Sequence, residues 1–313
     1  MAYTKPSHQL PKKDCRLINN WCEGKYFLSE SKPKLKPKDI RLVIRRALLE
    51  DVGRGDITTQ LNIAKNIQIK ASIVARENFL VCGMELAAAT FKTIDPSLKF
   101  IPKVKEGQQV SNRDTLAIIS GKAASILTAE RVALNLLAFL SGIATKTNKF
   151  VTKIKPFKTK ITDTRKTIPG LRQLQKYAVR IGSGYNHRMR LDEMVLIKDN
   201  HLKIMGGYSK LPNVPKGCKI EIETQNLKEF VRALSFKPDI IMLDNMGIRD
   251  ISKAIKIRNN LYINCRSCIT MLEASGGIHL GNVKKYAATG VDIISIGELT
   301  DSIGSVDINL NIL

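Results

Sequence analysis

Five basic side chains stand at or near the ends of two short β-like runs in the middle of the chain. The runs are residues 160–164 and 194–198, and the side chains are Arg165, Lys166, His187, Arg188 and Lys198. Parallel α/β folds bind their ligands at the carboxyl ends of the strands, so these side chains are expected to converge on one pocket. Chance clustering in a lysine-rich chain is the alternative, but residues at strand ends are better placed for a site than residues on helix faces. A pocket with this much positive charge predicts an anionic ligand that carries several charges.

Acidic residues and glycine-rich turns are predicted at the same end of the sheet. Glu223 and Asp244 end or follow two further predicted strands, where they suit ribose hydroxyls or a hydrated Mg²⁺ that bridges phosphates. Two later strands run into the turns Ser275, Gly276, Gly277 and Ser295, Ile296, Gly297. Such turns before a helix offer backbone N–H groups to a phosphate. The alternative is that the acids cap helices and the glycines only close strands.

A repeating pattern of strands and helices is predicted in the second half of the chain. The predicted strands are residues 159–163, 194–198, 219–223, 240–243, 269–273 and 292–296. Each is followed by a polar or glycine-rich turn and helix-compatible sequence, which indicates consecutive βα units around a parallel sheet. An eight-stranded barrel needs roughly 250 residues, and far fewer remain here. We therefore expect an irregular α/β barrel of about six strands in residues 131–303.

A smaller α/β domain is predicted in residues 38–130, after a basic extension over residues 1–37. Its first helix should begin with Asp39 as the cap and end at Gly53. Strands are expected at 69–75, 79–82 and 116–119, with a short helix from Met84 to Phe91 behind Gly83. The tail, residues 304–313, alternates apolar and polar residues and is expected to return to this domain as a final strand.

A buried helix is predicted from about Ala129 to Ile143, with the charged pair Glu130 and Arg131 directly before its apolar stretch. The apolar run from Val132 to Leu140 is too short to span a bilayer. No secretory signal pattern is present, so the cytoplasm is the expected location and no membrane partner is expected.

The composition limits the remaining function classes. The formal net charge is +23 over 313 residues, which is compatible with nucleic-acid binding, but only 5% of the residues are aromatic and the lysines are spread along the whole chain. A nucleic-acid stacking platform is therefore not indicated. Cys265 and Cys268 form an isolated C-x-x-C, whereas a structural zinc site needs a second pair of ligands.

Three blocks with defined spacing identify a family resemblance. They are Asp163-Thr164-Arg165-Lys166-Thr167 with Pro169-Gly170, Asn186-His187-Arg188, and Ile197-Lys198-Asp199-Asn200-His201. Together they resemble the quinolinate phosphoribosyltransferase family, also called nicotinate-nucleotide pyrophosphorylase. The sequence departs from the family pattern at Gly182-Ser183-Gly184, where three consecutive glycines are usual, and at Arg190, where glycine is common.

The resemblance implies a fold, a reaction and a set of site residues. The fold would be an α/β barrel beside an open-faced α/β sandwich. The reaction would join quinolinate to 5-phosphoribosyl 1-diphosphate with Mg²⁺, giving nicotinate mononucleotide, pyrophosphate and CO₂ in NAD biosynthesis. Arg131 would grip substrate from the partner chain of a homodimer, which can associate further into a hexamer. Thr164 and the residues at the strand ends would bind substrate, and Lys166, Glu223 and Asp244 would act in catalysis.

Two rival functions stay open at this point. A paralogue of the same fold could act on another pyridine or another anion, as the departures at Ser183 and Arg190 allow. A basic nucleic-acid-binding protein would explain the net charge and would lose affinity steeply with salt. The acids Glu223 and Asp244 disfavour the second reading, because a groove for a polyanion would not place carboxylates beside its cations.

Overall fold

The computed structural model describes residues 35–207, 217–261 and 269–313. Most of the predicted basic extension and the pair Cys265 and Cys268 lie outside these residues. The amino-terminal elements are α1 (Pro37–Val52), α2 (Ile57–Asn62), β1 (Gln68–Ala75), β2 (Phe79–Leu80), α3 (Met84–Ile94), β3 (Lys99–Pro102), β4 (Gln109–Val110), β5 (Thr115–Lys122) and α4 (Ala123–Lys153).

The start of α1 differs from the prediction. Lys36 is the N-cap residue and Pro37 follows it, whereas Asp39 lies in the first turn and does not cap the helix. Proline suits the first helical position because the N–H that it lacks would have no helical partner there. The end of α1 at Gly53 and the start of α3 behind Gly83 agree with the prediction.

The small domain is built on a four-stranded antiparallel sheet in the order β12-β1-β5-β3. The last strand, β12 (Ile308–Ile312), is the carboxy-terminal tail, and it pairs with β1 from Ala71 opposite Ile312 to Ala75 opposite Ile308. Ile73 and Ile119 of the sheet pack with Phe91 of α3 and Leu137 of α4 in one buried cluster.

Helix α4 is much longer than predicted. It covers 31 residues, and it contributes Leu137 to the core of the small domain and Leu140 and Phe150 to the core of the α/β part. The predicted domain boundary between residues 130 and 131 therefore falls within one continuous helix. By length and composition α4 could cross a membrane, but 61% of its most apolar window is buried inside the protein, as in the core helix of a globular domain.

The second part of the chain alternates strands and helices. Its elements are β6 (Lys160–Thr162), α5 (Arg172–Ile181), β7 (Met194–Ile197), α6 (Asp199–Met205), β8 (Lys219–Thr224), α7 (Leu227–Ser235), β9 (Ile240–Asp244), α8 (Ile248–Leu261), β10 (Met271–Ser275), α9 (Val283–Ala287) and β11 (Ile293–Ser295). The six strands form one sheet in the order β6-β11-β10-β9-β8-β7, and every neighbouring pair is parallel.

These observations confirm the predicted fold class, a six-stranded parallel α/β unit with a separate small antiparallel sheet. One strand was placed wrongly along the sequence. The prediction put it at 269–273, whereas β10 begins at Met271, whose N–H donates to the carbonyl of Asp239 across the sheet, and it ends at Ser275. Glu273 therefore lies inside the strand rather than at its end.

Candidate active site

A cavity of about 800 Å³ opens at the carboxyl ends of the parallel strands. It is bounded by the segments that follow β6, β7, β10 and β11 and by the last residues of β8 and β9. Because the strands are parallel and neighbouring in the sheet, their carboxyl ends meet at one edge, and the side chains there share one space. The cavity is large enough for a ligand of the size of a nucleotide.

All but one of the predicted site residues line this cavity. They are Thr164, Arg165, Lys166, His187, Arg188, Lys198, Glu223, Asp244, Ser275, Gly276, Gly277, Ser295, Ile296 and Gly297. The fold therefore brings the three sequence blocks, the two acids and both glycine-rich turns together, although their roles toward substrate stay predictions.

Arg131 is the predicted residue that does not line the cavity. It lies on α4 with an exposed side chain, in the third turn of the helix rather than at its start. The expectation that Arg131 stands at the mouth of the helix was wrong, because α4 begins eight residues earlier, at Ala123.

The most buried cation of the site is Arg188. Its Nη1 donates to the carbonyl of Met194 at 2.9 Å, which anchors the guanidinium at the start of β7. Burial lowers the pKa of Arg188 from its ordinary value, and the nearby positive charge of Arg165 acts in the same direction. A guanidinium nevertheless stays charged at neutral pH, so two like charges are held together where an anion would relieve their repulsion.

The acids of the site stand beside a lysine. Lys198 Nζ lies 3.6 Å from Glu223 Oε2, with the lysine half-exposed and the glutamate buried. Burial raises the pKa of Glu223 above its ordinary value, while Lys198 lowers it and Asp244 raises it further. The backbone N–H of Lys198 donates to His201 Nδ1 at 2.9 Å, so His201 of the third sequence block caps α6.

The turn after β10 requires glycine at position 276. Gly276 has a φ of 90°, and a Cβ there would overlap the side-chain amide of Asn245. That amide donates through Nδ2 to Asp244 Oδ2 at 2.8 Å. The glycine therefore allows the turn to approach the group that orients Asp244.

The prediction missed two fully buried carboxyl groups, Glu221 and Glu273. His187 Nε2 lies 3.0 Å from Glu221 Oε2 and 3.6 Å from Glu273 Oε2. Burial is the main reason that the pKa of each glutamate rises to about 8. Both carboxyls therefore hold a proton at neutral pH. A signal was available, since Glu221 stands two residues before Glu223 on β8 and Glu273 two residues before Ser275 on β10, hence on the same strand faces.

His187 is fixed at Nδ1 by a hydrogen bond, and its Nε2 lies beside the two buried glutamates. Its Nδ1 accepts the backbone N–H of Arg188 at 2.8 Å, so the ring proton is assigned to Nε2, which faces the two glutamates. Burial lowers the pKa of His187, which keeps the ring neutral at pH 7. The histidine lines the cavity as an uncharged wall residue.

Two family models match consecutive parts of the chain. The model of the quinolinate phosphoribosyl transferase N-terminal domain matches residues 56–141, and that of the C-terminal domain matches residues 143–311.

Individual relatives agree with this match. A probable nicotinate-nucleotide pyrophosphorylase (carboxylating) from Methanocaldococcus jannaschii is 42% identical over 283 residues, which cover 88% of this chain and 98% of the relative. A quinolinate phosphoribosyltransferase (decarboxylating) from Nicotiana tabacum is 39% identical over 90% of this chain and 85% of its own length. The solved structure of the nicotinate-nucleotide pyrophosphorylase from Francisella tularensis superposes with a TM-score of 0.84 at 38% identity, covering 91% of this chain and 99% of that one. The chain belongs to the quinolinate phosphoribosyltransferase family.

Proposed function

We propose that this protein transfers the phosphoribosyl group of 5-phosphoribosyl 1-diphosphate to the ring nitrogen of quinolinate, with loss of CO₂. The observation that carries the proposal is the pairing of opposite charges in one cavity. Arg165, Arg188 and Lys198 offer positive charge to the pyridine dicarboxylate, while Glu223 and Asp244 face the same space. The products are nicotinate mononucleotide, pyrophosphate and CO₂, a step of NAD biosynthesis.

The quinolinate end of the cavity is assigned to the three cations. Quinolinate is a dianion, and the two guanidinium groups can each meet a carboxylate with two parallel hydrogen bonds. Lys198 adds a third positive charge, only partly neutralised by Glu223 at 3.6 Å. Because both ring nitrogens of His187 face protein groups, we assign that residue to the wall around the ring rather than to a carboxylate.

The phosphoribosyl end is assigned to the acids, Lys166 and the glycine-rich turns. The turns 275–277 and 295–297 offer backbone N–H groups for phosphate oxygens. Glu223 and Asp244 suit the ribose hydroxyls, and carboxylate oxygens also fit the water shell of a Mg²⁺ ion carried by the diphosphate. When bound, Mg²⁺ would offset the negative charge of the leaving diphosphate.

The chemistry follows from where charge develops. When the bond from the anomeric carbon to the diphosphate breaks, positive charge grows on the ribose and negative charge on the leaving group. Glu223 and Asp244 stabilise the positive charge on the ribose, and Lys166 stabilises the negative charge on the leaving diphosphate. The ring nitrogen attacks the anomeric carbon as the diphosphate leaves and becomes a pyridinium, which stabilises the electron pair left at the neighbouring carbon when CO₂ departs. A proton from water then adds to that carbon and completes the ring of the product. The reaction requires no covalent intermediate on the protein.

We propose further that the enzyme is a cytoplasmic homodimer in which Arg131 completes the partner's site. Arg131 is exposed and lies outside the cavity of its own chain. Co-expression of Arg131→Ala with Lys198→Ala, each inactive alone, tests this. Half of randomly formed dimers are mixed and contain one intact site of two, so about a quarter of wild-type activity should return. Absence of recovery in a mixture with proven heterodimers would refute the shared site.

The reaction itself is tested by pyrophosphate release. The full chain is mixed with quinolinate, 5-phosphoribosyl 1-diphosphate and Mg²⁺, and release should depend on all three. Nicotinate, with a single carboxylate, should be essentially inert, because it would leave a buried cation unpaired at a cost of several kcal/mol. Equal turnover of nicotinate would refute the dicarboxylate assignment, and no release with quinolinate would refute the function.

A further inference from the structure

Helix α5 carries two polar side chains, Gln175 and Lys176, that are 0% exposed and do not line the cavity. We propose that they are positioning residues with separate duties. Lys176 holds the segment that meets quinolinate, and Gln175 holds the segments that meet the phosphoribosyl diphosphate. The inference rests on the proposed function, because it uses the division of the cavity into two substrate ends.

Two of the three hydrogen bonds of Lys176 go to the segment that carries the buried cation, and the third goes to Asp163, which itself holds that segment. Its Nζ donates to Asp163 Oδ1 at 2.6 Å, to the carbonyl of His187 at 2.7 Å and to the carbonyl of Arg188 at 3.0 Å. An ammonium group has three N–H donors, so none is left for a substrate. Asp163 Oδ1 also accepts the backbone N–H of His187 at 2.9 Å. The ion pair of Lys176 with Asp163 therefore binds both the N–H and the carbonyl of His187.

These hydrogen bonds set the direction of the Arg188 side chain. The peptide groups on both sides of Arg188 set the direction of its Cα–Cβ bond, and its Nη1 is tied to the carbonyl of Met194. An apolar side chain at position 176 would leave two buried carbonyls without their donor and the Asp163 carboxylate without its cation, and the segment would move to regain hydrogen bonds. Because a bidentate contact depends on angle as well as distance, even a small movement would weaken the hold of Arg188 on a carboxylate.

Gln175 connects two other segments of the site. Its Oε1 accepts the backbone N–H of Ile168 at 2.8 Å, and its Nε2 donates to the carbonyl of Thr300 at 2.6 Å. Thr300 in turn donates from Oγ1 to the carbonyl of Lys166 at 2.7 Å. This chain of hydrogen bonds fixes the spacing between the segment of Lys166 and the turn at Gly297. Both belong to the phosphoribosyl diphosphate end, and neither Lys166 nor Gly297 accepts a hydrogen bond from Lys176.

The alternative is that both side chains only stabilise the fold. Removal of either would then lower stability and total activity without favouring one substrate. The two explanations therefore differ in substrate selectivity, which a pair of neighbouring substitutions on one helix can measure.

The experiment compares Gln175→Leu and Lys176→Met in the full-length enzyme, with the KM of each substrate measured at saturation of the other. Lys176→Met should raise the KM of quinolinate by about tenfold or more and leave the KM of phosphoribosyl diphosphate nearly unchanged. Gln175→Leu should do the reverse. Thr90→Val serves as control, since Thr90 is fully buried on α3 and donates to the carbonyl of Leu86, far along the chain from the site. It should lower the melting temperature without changing either KM.

A second variant separates the effect on the KM of quinolinate from the effect of misfolding. Lys176→Met leaves Asp163 as an unpaired buried charge, so Asp163→Asn combined with Lys176→Met removes both charges together. The double variant should show the same selective rise in the KM of quinolinate, because the carbonyls of residues 187 and 188 still lack their donor. Equal changes in both KM values, or no change in folded variants, would overturn the inference. Absence of turnover in the wild type would overturn the proposed function instead.

Discussion

Replacement of Glu273 by glutamine should change how the stability of this protein depends on pH. Glu273 is fully buried on β10, and its pKa rises from an ordinary value of 4.5 to about 8, mainly through burial and secondarily through Glu221. Between these two values the folded chain holds a proton on Glu273 that the unfolded chain has released. The folded state then binds more protons than the unfolded state, so stability falls as pH rises through this range and levels off above pH 8.

The change in the free energy of unfolding follows from a difference of one bound proton between the folded and unfolded states. A difference of one bound proton changes the free energy of unfolding by about 1.4 kcal/mol per pH unit. A glutamine side chain cannot ionise, so the variant should gain about 2 kcal/mol relative to wild type between pH 6 and pH 7.5. Glu221 continues to titrate in the variant, because burial is the main cause of its raised pKa. Stability should therefore still fall with pH in the variant, but less steeply.

The assay is urea unfolding of wild type and Glu273→Gln at several pH values from 6 to 7.5, at constant ionic strength. The urea dependence of the free energy should stay equal in the two proteins, which shows that both unfold to the same extent. Parallel curves of stability against pH would refute the reasoning, since they would mean that Glu273 is not protonated in the folded chain. A variant that loses stability relative to wild type as pH rises would refute the predicted direction of the change in stability.

Three further substitutions test the site and the packing. Arg188→Ala and Lys198→Ala should each cost at least about 2 kcal/mol of transition-state stabilisation, measured as kcat/KM for quinolinate, with the fold retained; near-normal activity would remove the residue from the site. Gly142→Ala should destabilise the protein by about 1–3 kcal/mol in urea unfolding, because a Cβ there would overlap the carbonyl of Gly304 where the tail crosses α4. Unchanged stability would show that the tail can move away without cost.

Strand ends were the most predictable feature of the site. Periodic alternation of strand and helix signals indicates parallel βα units, and in such a sheet any residue that ends a strand must face the same edge. This is why Lys198, Asp244 and Ser275 could be placed in one cavity without knowledge of the strand order. The order β6-β11-β10-β9-β8-β7 itself depends on long-range pairing, for which local sequence carries no signal.

Buried polar groups away from the strand ends were harder to predict. Glu221 and Glu273 meet only because β8 and β10 flank β9 in the sheet, and their sequence separation gives no hint of this. Lys176 looks like a surface lysine of an amphipathic helix until the fold places α5 over the Asn186–Arg188 segment. The length of α4 was underestimated because the predicted helix, residues 129–143, was centred on an apolar stretch, whereas the helix extends beyond both ends of that range and joins both cores.

The protonated glutamates also bear on how the cavity attracts its ligand. If Glu221 and Glu273 were ionised, their two negative charges would lie beside His187, and they would offset the positive charge offered to a dianion. Burial keeps both carboxyls neutral at pH 7, since their pKa values are about 8. The two buried carboxyls then do not oppose the positive charges of Arg165, Arg188 and Lys198, and we assign Glu223 and Asp244 to the ribose. The same buried carboxyls that reduce stability as pH rises therefore leave the quinolinate end of the cavity positive at neutral pH.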